Sequence, residues 1–373
     1  MIEAGLYLHI PFCRRKCNYC NFHFSTNLSY RKRMIDCITK EIQNCLSNRD
    51  QIAFRTIYFG GGTPSLLDDF ELNSLLDKIS QYVNWSDVQE FTLEANPDDI
   101  QVNKLKLWRQ LGVNRLSIGV QSFVQEELVW MNRIHDSNQA RTAILQAQDQ
   151  GIDNLSIDLI YGLIHAQPFS LAYNLSSIND LSIPHFSAYA LTIEENTKLA
   201  YDIKKEQSLP PDENFQINQF DEILDFCFEN HFEDYEISNY AKKGFRSLHN
   251  SNYWNGSMYF GFGPSAHSFV DGIRFESLKN NALYMNAVES GLDIRQAEEM
   301  TDDTRWNEHI MLRLRTKDGL NTEPLNESPH YGSLLNNLNQ LVDDGYLLRE
   351  GEVFRFTRKG KYIADHLVSE LFV

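Results

Sequence analysis

The sequence predicts an α/β protein: a partial (β/α)6 barrel followed by a small C-terminal helical, winged-helix-like domain. Two observations predict it. Six short apolar runs alternate with amphipathic segments over the first 190 residues, the pattern of a parallel sheet with right-handed helical crossovers. Six repeats are two short of a closed eight-stranded barrel, so the sheet is expected to curve and stay open, with its site at the C-terminal ends of the strands.

The elements follow in order. LYLHI (6–10), TIYFG (56–60), FTLEA (91–95), RLSIGV (115–120), LSIDLI (155–160) and FSAYAL (186–191) are rich in β-branched and aromatic residues and are predicted as strands. Helical periodicity falls between them at 29–47, 68–82, 101–111, 137–150 and 169–180, with Gly112 and Gly151 as stops. A helix is predicted over 213–231, and EDYEISNYA (233–241) is expected to send a strand back against the sheet. Gly256, Gly261 and Gly263 suggest a tightly turning loop close to a ligand, with His267 a further candidate contact. Beyond residue 295 a helical pair, two short strands joined by Arg349-Glu350-Gly351-Glu352, and a last helix resemble a winged helix. The expected units are a barrel over 1–200, a barrel-completing, substrate-proximal segment over 201–290, and the C-terminal domain over 291–373.

Composition narrows the function. With 42% hydrophobic and 23% charged residues the chain is an ordinary globular protein. Its net charge of -17 is the wrong sign for neutralising phosphates, and residues 295–373 carry ten basic against fourteen acidic side chains, so the winged-helix-like unit is expected to pack or dock rather than bind nucleic acid. The start, MIEAGLYLHI, has no signal-peptide pattern, and no apolar run approaches the roughly 20 residues of a membrane span. A cytoplasmic protein is expected. In that reducing compartment three cysteines within eight positions, Cys13, Cys17 and Cys20, point to metal chemistry rather than disulfides. Three thiolates can hold three corners of an iron-sulfur cubane and leave one iron open to a small molecule. The alternative is zinc with His9 or His23 as a fourth ligand, but the spacing is not that of a zinc ribbon. Cys37, Cys45 and Cys227 are expected as small core residues.

The residues with chemistry cluster at the predicted strand ends: the cysteines after the first, Gly60 to Pro64 after the second, Glu94 ending the third, Gln121 after the fourth, Asp158 in the fifth. Singly, each is more often a cap or a solvated side chain; together they favour a ligand site.

The three-cysteine loop and GGGTP resemble the radical S-adenosylmethionine superfamily. Within it, YLHIPFC, YFGGGTPSLL, EANPDD, GVNRLSIGVQSF, NRIHD, SIDLIYGL, YALTIEENT, YEISNYA and HNSNYW resemble, in order, the oxygen-independent coproporphyrinogen III oxidase family and its HemW-like haem-chaperone branch. The resemblance implies a [4Fe-4S] cluster on Cys13, Cys17 and Cys20, with S-adenosylmethionine chelating the open iron and yielding a 5'-deoxyadenosyl radical. It implies S-adenosylmethionine contacts at Tyr7, Tyr19, Gly61, Gly62, Thr63, Glu94, Gln121, Arg133, Asp158 and Ala190, with Glu94 accepting from the ammonium, Arg133 gripping a carboxylate in a bidentate fork and Asp158 accepting from ribose hydroxyls. YGLIHAQ (161–167) departs from the family, with Ile164-His165 in place of Pro-Gly.

Three features favour the chaperone branch over the oxidase. Phe22 stands where the oxidase has a further cysteine, only twelve residues precede Cys13, and HNSNYW (249–254) matches the chaperone signature. The resemblance then implies haem as cargo, His249 as its ligand, and a haem-acceptor protein, respiratory and membrane-associated, as partner. The alternative within the family is oxidative decarboxylation of coproporphyrinogen III to protoporphyrinogen IX, and radical chemistry on another tetrapyrrole is a third reading.

Overall fold

In the computed structural model, which describes residues 1–49, 51–164 and 166–373, the predicted alternation becomes a curved open sheet. Strands β1 (Ile2–Ile10), β2 (Ile52–Gly61), β3 (Glu90–Ala95), β4 (Arg115–Gln121), β5 (Asn154–Tyr161) and β6 (His185–Ala190) lie side by side, all parallel. Helices α1 (Arg31–Leu46), α2 (Asp69–Ile79), α3 (Val102–Gln110), α4 (Gln125–Trp130), α5 (Ser137–Asp149) and α6 (Ser170–Asp180) fill the crossovers. α2 and α5 each start on a reciprocal capping box, Asp68 with Glu71 and Asp136 with Gln139, which supplies partners to the backbone donors exposed at a helix start.

The strands are two-faced, because side chains alternate along a strand with period two. Leu6, Leu8, Ile57, Phe59, Phe91, Leu93, Leu116, Ile118, Leu155, Ile157, Phe186 and Ala188 point outward and form one apolar core with the helices. The intervening residues are polar: Thr56 and Tyr58, Thr92 and Glu94, Arg115 and Ser117, Ser156 and Asp158, His185 and Ser187. The barrel therefore has a dry wall and a polar lumen.

After helices α7 (Lys198–Lys204) and α8 (Glu213–Glu229), the chain returns through β7 (Glu233–Asp234) and β8 (Asn239–Ala241), which pair antiparallel with each other and place β8 on the edge of β6, as expected from 233–241. The glycine-rich stretch differs from expectation. After α9 (Leu248–Trp254), β9 (Met258–Phe262) is a strand parallel to β1. Gly261 lies inside it because a methyl there would come within 2.0 Å of the His267 carbonyl oxygen; this glycine serves strand packing, not a ligand loop. β10 (His267–Val270), β11 (Ile273–Ser277) and β12 (Arg295–Ala297), with α10 (Asn281–Glu289) between the last two, extend that edge, so the described sheet has twelve strands. His267 is half exposed on β10, 3.4 Å from Glu276, and does not reach the lumen.

The remaining chain has its own apolar cluster. α11 (Asp302–Leu314), β13 (Leu320–Asn321), α12 (Tyr331–Asp343), β14 (Leu347–Glu350), β15 (Val353–Phe356), α13 (Arg358–Tyr362) and α14 (Ala364–Ser369) pack Ile310, Leu314, Leu338, Phe354 and Leu367 together, with the strands in the order β13-β15-β14. No described helix is long and apolar enough to cross a membrane.

Candidate functional site

The polar lumen opens into a cavity of about 880 Å3 at the C-terminal ends of the strands. Its wall includes Cys13, Cys17, Cys20, Tyr19, Gly61, Gly62, Thr63, Glu94, Gln121, Arg133, Asp158 and Ala190. Twelve residues singled out in the sequence thus meet in one space.

The cysteine loop is tied down on all sides. Cys13 and Ser25 form a backbone pair, Cys13 N–H donating to Ser25 O at 3.1 Å, while Ser25 N–H donates to Pro11 O at 2.9 Å. Asn18 donates its side-chain amide to Trp130 O at 2.5 Å, and Arg14 pairs with Asp99 at 2.7 Å. Gly62 N–H donates to Ile10 O at 2.9 Å, and a methyl on Gly62 would lie 2.6 Å from Phe12 O; only glycine lets the second strand end approach the loop this closely. Gly61, at φ +106° with its would-be methyl 2.7 Å from the His9 ring, is equally restricted.

Two of the three thiols face side-chain donors. Thr63 Oγ1 donates to Cys13 Sγ at 3.4 Å and Arg133 Nη1 to Cys17 Sγ at 3.4 Å. Burial pushes the Cys13 thiol up to about 12, against the pull of Thr63, and burial likewise raises Cys20. Three cysteines on one wall with hydrogen-bond donors behind two sulfurs fit a metal cluster, whose positive charge would stabilise the thiolates that burial disfavours. The donor set and the glycine cradle therefore fit the [4Fe-4S] cluster.

NRIHD works largely as a mount for one side chain. Asn132, at φ +60°, donates to Lys16 O at 2.8 Å; His135 Nε2 meets Val120 O at 3.1 Å; Asp136 caps α5. Arg133 is left pointing into the cavity wall, where Nη2 donates to Asn96 Oδ1 and Gly119 O, each at 2.6 Å. Burial opposes its charge, but Tyr19 and Cys17 outweigh that and hold its pKa above the ordinary value. In this arrangement the Arg133 fork is engaged by protein acceptors.

Glu94 accepts from Tyr58 OH at 2.8 Å and from Gly61 N–H at 3.0 Å. Burial lifts it to about 7, against those hydrogen bonds. Burial lifts Asp158 to about 6, with Ser187 and Arg115 pulling the other way. Gln121 ends β4 at φ +66°, turning the chain out of the strand beside Arg133.

Tyr7 faces inward on β1 beside Tyr58, ring centroids 6.0 Å apart, with its hydroxyl 3.2 Å from His9 Nδ1. His249 is 1% exposed on α9, which enters beneath the lumen; its Nδ1 lies 2.8 Å from Thr56 Oγ1 and its Nε2 2.8 Å from Tyr253 OH. The ring stacks on Tyr58 with centroids 5.0 Å apart, and Glu90 receives the backbone N–H groups of Leu248 and His249 at 2.9 and 3.0 Å. Burial, with Arg115 adding to it, lowers the imidazole to about 3. Both ring nitrogens are occupied, so His249 is a bridge between β2 and α9 and offers no nitrogen to an iron in this arrangement. The Ile164-His165 departure cannot be followed, since His165 lies outside the described residues.

Sequence reasoning passed over part of the wall. Arg315, Lys361, Tyr362 and Ile363 reach the cavity from the C-terminal unit, and Arg115 lies within the barrel. Only the inward parity of Arg115 with Ser117 along β4 could have marked it.

The chain is similar to known proteins along its whole length. A model of the Radical SAM superfamily matches residues 7–167. The heme chaperone HemW of Bacillus subtilis (strain 168) is 33% identical over 372 residues, covering 97% of each chain. That of Escherichia coli (strain K12) is 31% identical over 383 residues, covering 99% of this chain and 98% of the relative. The solved coproporphyrinogen III oxidase (HemN) from Escherichia coli superposes with a TM-score of 0.87 at 22% identity, covering 100% of this chain and 90% of that one, a likeness of fold. With similarity above 30% running from end to end and the superfamily's pattern over the cysteine half, this chain belongs to the HemW family of the radical SAM superfamily.

Proposed function

We propose that this protein is a haem chaperone: it takes up haem at the barrel mouth and hands it to an acceptor haem protein, with a [4Fe-4S] cluster on Cys13, Cys17 and Cys20 and S-adenosylmethionine beside it. The observation that carries this reading is the end-to-end similarity to relatives named heme chaperone. The cavity chemistry supports it. Phe22 (70% exposed), Tyr189 and Ile363 give the rim apolar faces, and Arg14, Arg15, Arg315 and Lys361 set cations among them; a flat apolar ring with carboxylate arms needs both.

When bound, the cluster and S-adenosylmethionine supply one-electron chemistry at a sulfonium. The protein's own part is to position and shield. Thr63 and Arg133 donate to the cysteine sulfurs, Gly61 and Gly62 let the end of β2 close against the cysteine loop, ionised Glu94 accepts from an ammonium, and Asp158 accepts from hydroxyls. Tyr19 and Ala190 supply wall, and Gln121 turns the backbone aside.

Anaerobic reconstitution with iron and sulfide, followed by a split assay, tests the reading. Haem is expected to give a stable Soret spectrum and transfer to an apo-haem protein, while coproporphyrinogen III with S-adenosylmethionine and reductant yields no vinyl-bearing product. Protoporphyrinogen IX with stoichiometric 5'-deoxyadenosine would replace the chaperone reading with the oxidase.

A further inference from the structure

Arg115 is the first residue of β4, yet its side chain lies in the barrel and lines the cavity floor. It is 1% exposed, and its Nε is buried without a hydrogen-bond partner. Arg133, Arg274 and Arg315 also have a lone buried Nε, but each engages other nitrogens with protein acceptors. Arg115 differs: among the described residues its guanidinium makes no side-chain hydrogen bond and no ion pair within 4 Å. Glu94 and Asp158 share the cavity and feel the charge of Arg115 without pairing with it: Glu94 is engaged by Tyr58 and Gly61, Asp158 by Ser187, and Glu90, one strand away, by the start of α9. The histidines behind the floor are neutral: His185, pushed well down by burial and then Arg115, bridges Ser156 and Tyr235, while His249 bridges Thr56 and Tyr253.

An unpaired guanidinium buried in protein is among the costliest arrangements a fold can hold, and arginine's planar fork matches a carboxylate. Ser117, next inward on β4, also lines the cavity and adds a hydroxyl donor above it. We propose that Arg115 anchors a carboxylate of a second ligand at the barrel floor, below the space given to S-adenosylmethionine. Resting on the haem reading, that carboxylate is a propionate of the bound tetrapyrrole. The ring then stands with one edge down in the lumen and the other toward the cations of the C-terminal unit, and chamber and C-terminal unit grip opposite sides of one ligand.

The test compares full-length wild type with Arg115→Met and Arg115→Lys. Thermal melting without ligand comes first. Removing a buried charge that has no direct partner is expected to leave the Met variant melting no lower than wild type, and a melt several degrees lower would overturn the proposal, because a structural counter-ion to Glu94 and Asp158 behaves that way. Titration with haem and with haem dimethyl ester follows. Arg115→Met is expected to weaken haem binding by about ten- to hundred-fold, the range for a lost hydrogen bond to a charged group. Arg115→Lys recovers part of that loss, and all three proteins bind the ester alike. Equal weakening toward acid and ester would refute a carboxylate anchor. If wild type binds no haem, the haem reading fails by itself. Sodium propionate then decides the anchor: raising the melting temperature of wild type but not of Arg115→Met supports it, and no difference between them overturns it.

Discussion

Replacing His249 with alanine separates two roles for the HNSNYW segment. In the structure the ring makes two hydrogen bonds of 2.8 Å and stacks on Tyr58 at 5.0 Å. Each hydrogen bond contributes about 1 kcal/mol net, the stack about 1 kcal/mol, and Thr56 Oγ1, in a residue 1% exposed, loses its imidazole partner at a cost of about 1–3 kcal/mol. Allowing for overlap between these terms, His249→Ala is expected to destabilise the protein by about 3–5 kcal/mol, read as a lower urea midpoint. The pH dependence carries a second signature. The folded pKa of His249 is depressed to about 3 while the unfolded chain has about 6.5, so the unfolded state binds the extra proton, and the stability tied to the neutral ring is complete above pH 6.5 and is lost as pH falls toward about 3. That slope, about 1.4 kcal/mol per pH unit through the window, should disappear from the variant, while His9 and His135, lowered to about 4 and about 3 chiefly by burial, keep theirs. Haem titrated into the folded variant should still give a Soret band. A variant as stable as wild type that has lost the Soret band would refute this reasoning and make His249 a ligand that swings out of its bridge.

Two further outcomes follow from the same geometry. Gly62→Ala places a methyl 2.6 Å from Phe12 O and 2.8 Å from Phe12 N, against backbone that cannot yield cheaply, so iron bound per chain after reconstitution should fall steeply while far-ultraviolet circular dichroism stays unchanged; normal iron loading would mean the loop is not held as described. Glu94 is raised to about 7, mainly by burial, so its acceptor form grows as pH rises through 7, and S-adenosylmethionine affinity measured by calorimetry should strengthen between pH 6 and 8, with Glu94→Gln weaker and flat across that range; a flat wild-type profile would remove Glu94 from ammonium binding.

The strands were legible because β1 to β6 carry both signals at once, an apolar outward set alternating with a largely polar inward set, and α2, α3 and α5 are bounded by a capping box or a following glycine. The cysteine triad was legible from its spacing, and Glu94 because it falls at the same end of successive strands as the other chemically active residues. Other features lie beyond a linear reading. α4 is only six residues long and has no side-chain cap. β9 is interrupted by a glycine that usually marks a turn, and its requirement for glycine comes from a carbonyl on the neighbouring strand. The fate of His249 depends on Thr56, 193 positions away, and that of Arg133 on Asn96 and Gly119, contacts that close only when the sheet curves. Arg115 stands in a run, RLSIGV, whose apolar members dominate any local pattern.

The separation of a dry wall from a polar lumen sets what this molecule can do without its ligand. Ala95, Ile160 and Leu191 apart, the apolar burial that holds the sheet to its helices lies outside the chamber, and residues of opposite parity along the same six strands serve the two sides. Filling or emptying the chamber leaves that burial unchanged, so a vessel of this construction keeps its shape between one delivery and the next. Change at the even and odd positions of each strand can then proceed on separate schedules, one adjusting durability and the other adjusting what is carried.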